Sequence, residues 1–136
     1  MALFIWTHTL STGNSHIDDD HRLLVEKVNT VLECIANRAD NATLAAAMDT
    51  LGQFTREHFG YEDSAMRKLG YAKAQEHTAQ HTALLQQLDQ TLAQLRANEP
   101  IDQMALYNRL TRWVIDHIQT FDRDFVLAES ALATQD

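Results

Sequence analysis

The sequence predicts an all-α protein, an antiparallel up-down four-helix bundle with an irregular N-terminal arm. Four Gly and one Pro in 136 residues are too few for the many turns of a β-sandwich. Four long segments carry apolar residues at steps of three and four, the period of one helix face, and short breaker clusters separate them. With 45% apolar and 22% charged residues, a chain of one-domain length has enough material for a single core.

The arm covers about residues 1–17. The first helix, about 18–38, has the stripe His21, Val25, Val28, Leu32 and Ile35, and Ser15 with Asp18 reads as its capping box. Ala39-Asp40-Asn41 ends it and supplies the cap of the second helix, about 42–69, whose stripe is Leu44, Met48, Leu51, Phe54, His58 and Glu62. Gly52 and Gly60 fall inside that stripe at about 1 kcal/mol each relative to Ala, but the periodicity continues past both. Arg67-Lys68-Leu69-Gly70 is a C-terminal stop signal. The third helix, about 73–97, carries His77, His81, Leu84, Leu88, Leu92 and Leu95, and Asn98-Glu99-Pro100 closes it. The fourth, about 102–127, starts on Asp102 as N-cap, with Ile101 and Leu106 spaced as a hydrophobic staple, and shows Leu106, Leu110, Trp113 and His117 on one face. Helices of 20 to 28 residues span about 30 Å or more, so the four stripes can meet along their length.

Charge and cysteine content narrow the function. Eleven Lys and Arg stand against 19 Asp and Glu, a formal net charge of −8. A surface that negative repels phosphate backbones and anionic lipids, so neither a nucleic-acid nor a membrane partner is expected. The single cysteine, Cys34, excludes an intramolecular disulfide and suits a reducing compartment. Met1-Ala-Leu-Phe-Ile-Trp6 has no basic leader, and no segment approaches the roughly 20 apolar residues of a membrane span, so a soluble cytoplasmic protein is expected.

The informative residues are polar ones on the apolar stripes: His21, His58, His77, His81 and His117, joined by Glu62 and Asp122. One histidine on an apolar face is ordinarily a hydrogen-bonded core residue. Five on converging faces of four helices, with two carboxylates, would cost several kcal/mol per unpartnered charged group. A metal centre satisfies them together. His58 and Glu62, and again His77 and His81, are four apart and leave their helix on one side. His117 and Asp122 are five apart, about 140° around a regular α-helix, so one ion holds both only with local distortion, whereas two adjacent ions can be straddled. Seven ligands exceed one ion. Divided over two with both carboxylates bridging, they give one metal three histidines and the other two, leaving the second a vacant position. The nitrogen-rich set favours iron, copper, nickel or zinc over magnesium or calcium. His77-Thr-Ala-Gln-His81 lacks the Glu of a zincin protease, and no Glu-x-x-His of the carboxylate-rich di-iron proteins occurs.

The segments Ile17-Asp-Asp-Asp-His21, His58-Phe-Gly-Tyr-Glu62, His77-Thr-Ala-Gln-His81 and His117-Ile-Gln-Thr-Phe-Asp122, with Trp6, Met66 and Gly70-Tyr71, resemble the hemerythrins, in particular the single-domain bacteriohemerythrins. The resemblance covers essentially the whole chain. It implies that His77, His81 and His117 hold one iron and His21 and His58 the other, with Glu62 and Asp122 bridging alongside a solvent-derived oxygen. It further implies reversible O2 binding at the five-coordinate iron, for storage, delivery or sensing, with no net reaction and hence no enzyme. The alternative is a di-iron enzyme acting on peroxide, nitric oxide or ferrous iron. Departures from the family pattern, such as Ala72 after Gly70-Tyr71, Asp19-Asp20 before His21 and Leu84-Leu85 after His81, touch no ligand.

Leu24, Val25, Phe54 and Trp113 lie within a turn of ligand positions and are expected to wall the O2 pocket. Phe59 and Phe121 read as core. Asp18-Asp19-Asp20 reads first as a charge cluster favourable to the helix dipole. His8 and His16 read as arm or surface residues, and Cys34 lies off the stripe.

Overall fold

The computed structural model describes residues 3–133. A 3-10 turn at His8–Leu10 precedes α1 (Ser15–Ala36), α2 (Asn41–Leu69), α3 (Ala74–Arg96) and α4 (Gln103–Asp116). A π-helical stretch, His117–Asp122, then runs without a break into α5 (Arg123–Ala133), so α4 and α5 form one continuous fourth rod. There is no strand among the described residues. α1 packs on α2 and α4, and α2 on α3, and Leu88 and Leu95 of α3 share one core with Leu106 and Leu110 of α4 in the predicted four-helix bundle.

Most termini form as the sequence specifies. Asp40 and Asp102 cap α2 and α4, accepting from the backbone N–H of Thr43 at 2.8 Å and of Ala105 at 3.0 Å. Gly70 ends α2 in the left-handed region at φ 69°, and the Tyr71 N–H reaches the Met66 carbonyl at 3.1 Å. A Cβ at Gly70 meets nothing within 4 Å, so Gly70→Ala is expected to cost only the backbone penalty, about 1–2 kcal/mol by urea unfolding.

The first helix corrects the expected start. It begins at Ser15, capped by Asn14 through the Ile17 N–H at 3.1 Å, not at Asp18 through a Ser15–Asp18 box. Asp18 turns back to the arm instead, taking Ser11 Oγ at 2.7 Å and the Thr12 N–H and hydroxyl at 2.8 Å each. The arm is further held by paired bonds between Phe4 and the Asn29 amide and by Arg123 donating to the Thr9 carbonyl.

Two apolar clusters lie along the bundle axis. The larger gathers Val28, Val31, Leu32, Leu44, Met48, Leu51, Leu88, Leu95, Leu106 and Leu110. The smaller, at the end where α2 turns into α3, consists of Ile17, Met66, Phe125 and Val126. Between them the stripes become polar.

Candidate metal centre

In this polar layer the side chains of His21, His58, Glu62, His77, His81, His117 and Asp122 are at most 3% exposed, and both carboxylates are fully buried. All but Asp122 lie on a stripe by their sequence spacing, and the bundle brings all seven together. Their candidate ligand atoms fall into two overlapping groups, Glu62, His77, His81, His117 and Asp122 in one, His21, His58, Glu62 and Asp122 in the other, with the atoms of each within 4.8 Å of one another.

The carboxylates are shared in a particular way. Asp122 presents Oδ2 to His21 Nε2 at 2.7 Å and Oδ1 to His77 and His117 Nε2 at 2.9 and 3.1 Å. Glu62 presents Oε2 to His58 Nε2 at 3.5 Å and Oε1 to His81 Nε2 at 3.2 Å. One oxygen of each therefore faces the two-histidine group and the other faces the three-histidine group.

The local backbone explains how Asp122 arrives there. Residues 117–122 are π-helical, and i→i+5 hydrogen bonding brings residues five apart to one side. The spacing of His117 and Asp122, awkward for an α-helix, thus becomes a 3.1 Å approach.

Two aspartates outside the stripes orient the rings. Asp20 Oδ2 lies 2.9 Å from His58 Nδ1, and Asp63 Oδ1 lies 2.9 Å from His81 Nδ1 while also taking the Thr78 hydroxyl at 2.9 Å. A carboxylate at Nδ1 assigns the proton to that nitrogen and leaves Nε2 with a lone pair. His58 Nε2 then confronts the Glu62 carboxylate lone pair to lone pair. Only a proton or a cation resolves that contact. Correspondingly, both oxygens of Glu62 and of Asp122, and Nε2 of His21, His58 and His77, are buried with close neighbours but without hydrogen-bonding alignment. Donor atoms that converge without bonding one another fit a cation between them.

The same crowding shifts the protonation of these groups. Burial pulls His58 down, but the approach and charge of Glu62 and the charge of Asp122 raise it from 6.5 to about 9. His117 is opposed by burial and raised to about 9 by Asp122 and then Glu62. Burial and the Asp122 charge push Glu62 up, yet His117, His58 and His81 bring it to about 2. Asp122 is held well below its usual range, burial being outweighed by His117, His21 and His77.

Aromatic rings enclose the histidines. Phe59 stacks on His81 at 3.7 Å, tilts over His117 at 5.3 Å and meets the edge of Trp113 at 6.3 Å. Phe121 stacks on His117 at 5.7 Å. Of the expected pocket residues, Leu24 and Val25 are buried in the larger apolar cluster. Trp113 is half-buried against Phe59, and Phe54 is half-buried with the Lys27 ammonium 5.3 Å above its ring, toward the surface. The aromatics that lie against the clustered histidines are Phe59 and Phe121, both of which read from the sequence as core. The sequence reading takes Asp20 as part of a helix-dipole charge cluster and does not single out Asp63, whereas the structure sets Asp20 on His58 and Asp63 on His81. Each adjoins a member of the buried cluster in the chain and bonds a histidine on the neighbouring helix, and that adjacency is the available signal.

A helical bundle that buries a nitrogen-rich, carboxylate-bridged pair of donor sets defines a protein class, the bundle that binds cations in its core. Comparison with protein families matches residues 12–126 to the hemerythrin HHE cation binding domain, and the chain belongs to the hemerythrin family. It is similar to the bacteriohemerythrin of Pseudomonas paraeruginosa, 27% identical over 126 residues that cover 93% of this chain and 81% of that protein. It is also similar to the myohemerythrin of Riftia pachyptila, 25% identical over 119 residues that cover 88% of each. Among solved structures, a wild-type hemerythrin matches with a TM-score of 0.83 and 26% identity over 93% of this chain and 98% of that one.

Proposed function

We infer that this chain binds O2 reversibly at a non-heme di-iron centre, for storage, delivery or sensing rather than for turnover. The observation that carries the reading is the division of the two carboxylates, each with one oxygen toward either group of histidines. His77, His81 and His117 would hold one iron, His21 and His58 the other, and Glu62 and Asp122 would bridge. Five nitrogens and two carboxylates suit iron by ligand softness, and the family's cation-binding character supports it.

When bound, the iron pair supplies the electrons that make O2 attachment favourable. The chain's own residues do the rest. Asp20 and Asp63 hold the rings of His58 and His81 at their Nδ1 atoms, fixing the direction in which Nε2 points. Phe59, Trp113 and the larger apolar cluster exclude water from one side, and Met66 and Phe125 close the other. The buried ionisable groups among the described residues are the seven proposed ligands and Asp18, and Asp18 is engaged by Ser11 and Thr12. Among the described residues the other ionisable groups beside the site, Asp20 and Asp63, are engaged by His58 and His81, which favours binding and release over turnover.

The test is an absorption spectrum of the anaerobically reduced protein with two irons per chain. A visible band that appears in air and disappears under vacuum supports the reading. Irreversible bleaching, or a single metal per chain, overturns it.

Water exclusion yields a second expectation. A cavity of about 30 Å³ lined by Leu84, Leu88, Leu106, Leu110 and Trp113 lies beside the indole. Trp113→Ala joins this space to the back of Phe59 and admits water next to a polar site. The variant should keep two irons while the oxygenated protein autoxidises several-fold faster in a rapid-mixing assay. Its loss of stability should fall below the roughly 3–5 kcal/mol of a fully buried Trp→Ala change, because the ring is only half-buried.

A further inference from the structure

Resting on the di-iron reading, we propose that the cleft between the start of α3 and the π-helical stretch is the port by which hydrated divalent cations enter the centre. Glu76 and Asp124 are its capture site and His77 is its gate. The centre needs an entrance, because its five histidines and two carboxylates are at most 3% exposed. No ion reaches them from outside unless a side chain moves.

The hydrogen bonds decide which one is free to do so. His58 and His81 are pinned at Nδ1 by Asp20 and Asp63, each at 2.9 Å, and turning either ring breaks a bond to a carboxylate. Nδ1 of His21, of His77 and of His117 is buried without a partner. Of these three, His77 lies in the wall of a cleft of about 180 Å³ that opens to solvent. Among the clefts of the described residues, this is the one that reaches a member of the buried seven. On its inner side His77 places Nε2 2.9 Å from Asp122 Oδ1. Its ring thus joins the cleft to the centre, and turning it sacrifices no hydrogen bond at Nδ1.

The cleft is charged to receive a cation. Glu76 enters it from α3 and Asp124 from the fourth rod, both exposed and neither paired or hydrogen-bonded among the described residues. Glu76 alone would be an ordinary first-turn acid at a helix start. Asp124 has no such explanation, because the fourth rod runs through it without a new start. The two charges bear on one point: the Tyr71 phenol in the same wall is pushed up by burial, then by Asp124 and Glu76. Lys73 is the opposing charge of the wall, and it pairs with neither acid. Two acids against one lysine leave the mouth negative.

Glu76 and Asp124 do not belong to the groups whose ligand atoms converge within 4.8 Å, so they hold the ion through its water and do not retain it. At about 30 Å³ per water, the cleft has room for a shell of six. Weak capture by fixed charge at a surface mouth makes entry fast at low salt and slower as salt screens it.

The test is stopped-flow uptake of cobalt(II) by the metal-free protein, followed by its visible absorption and closed by metal analysis. Glu76→Gln/Asp124→Asn should slow uptake at low salt by roughly fivefold or more, with final content still two ions per chain. Glu26→Gln/Glu33→Gln, which removes the same charge from the exposed face of α1, should change the rate by less than about 1.5-fold. Lys73→Gln should raise it about twofold. Added salt should slow the wild type and leave the cleft variant nearly unchanged. In the zinc-filled protein, manganese(II) should broaden the amide resonances of Glu76, Thr120 and Asp124 ahead of that of Asp19. A wild-type rate in the cleft variant, equal slowing by the α1 pair, or broadening at Asp19 first overturns the port and leaves the di-iron reading standing. Fewer than two ions in the wild type overturns the di-iron reading while the rates still decide the port, and with no uptake at all both fall.

Discussion

Glu62→Gln should reduce retained iron from two ions per chain to one or none after gel filtration, with loss of the oxo-bridge absorption. Glu62 is the one side chain that approaches four of the five histidines, with Oε2 3.5 Å from His58 and Oε1 3.2, 3.9 and 4.0 Å from His81, His117 and His77. An amide has one oxygen and an NH2 group that donates, so it can offer a lone pair to one histidine group only, and it brings no charge to offset two cations. The geometry predicts which ion goes first. If the amide oxygen takes the Oε1 position, the two-histidine site loses its Glu62 ligand and retains only His21, His58 and Asp122. Asp122→Asn should behave similarly. Because neither change opens a cavity, the metal-free variants should unfold close to the metal-free parent near pH 9 and fall below it at pH 6, where the parent's His58 and His117 draw stability from these carboxylates. Full iron content and an unchanged spectrum in both variants would reject bridging.

Metal-free protein should lose stability steeply between pH 6.5 and 9, whereas iron-loaded protein should not. His58 and His117 are raised from 6.5 to about 9, so the stability they contribute is complete below 6.5 and disappears as pH climbs through 9. At about 1.4 kcal/mol per pH unit, each corresponds to roughly 3 kcal/mol, and since both draw on the same two carboxylates, the pair contributes less than twice that. Glu62 and Asp122 act at the other end. Their depressed values make their contribution complete above about 4.5 and lost as pH falls toward 2. The metal-free bundle should therefore be most stable between about pH 4.5 and 6.5. Iron occupies the place of the protons, so its binding releases them and removes the alkaline decline. Thermal unfolding of both forms from pH 5 to 10 is the measurement, and a flat metal-free profile from 6 to 9 would contradict it.

How far the sequence carried the reading depended on whether a feature is set within one helix or between two. Helix faces are set locally, so the stripes located every buried histidine and Glu62 of the centre, and the caps Asp40, Gly70 and Asp102 were equally plain, whereas Asp122 stood off the stripe of its helix and reaches the centre only through the π-helical stretch. Asp20 and Asp63 were not plain either. Their function depends on how far α1 slides along α2 and α2 along α3, and nothing in one helix encodes that offset. Phe54 and Phe59 show the same limit. Phe54 is one turn before His58 and shares its face, but at that level α1 passes close enough to set Lys27 over the ring, while Phe59 is carried inward to His81. The Ser15–Asp18 box failed for a third reason: the arm folds back and supplies Asp18 with better partners than the helix's own N–H groups.

The π turn acts as a phase shifter for the fourth rod. Upstream, Leu106, Leu110 and Val114 keep time with the larger cluster, and downstream Phe125 and Val126 keep time with Ile17 and Met66. The two halves are out of step by the one extra residue taken up between His117 and Asp122. Removing any residue from 118 to 121 would let the rod become α-helical throughout, with more regular hydrogen bonds. It would then have to choose. Holding Asp122 beside His117 would swing Phe125 and Val126 out of the end plug, and keeping the plug would turn Asp122 away from the histidines. No point substitution restores both, so the length of this segment is as much a determinant of the metal site as the identity of its ligands.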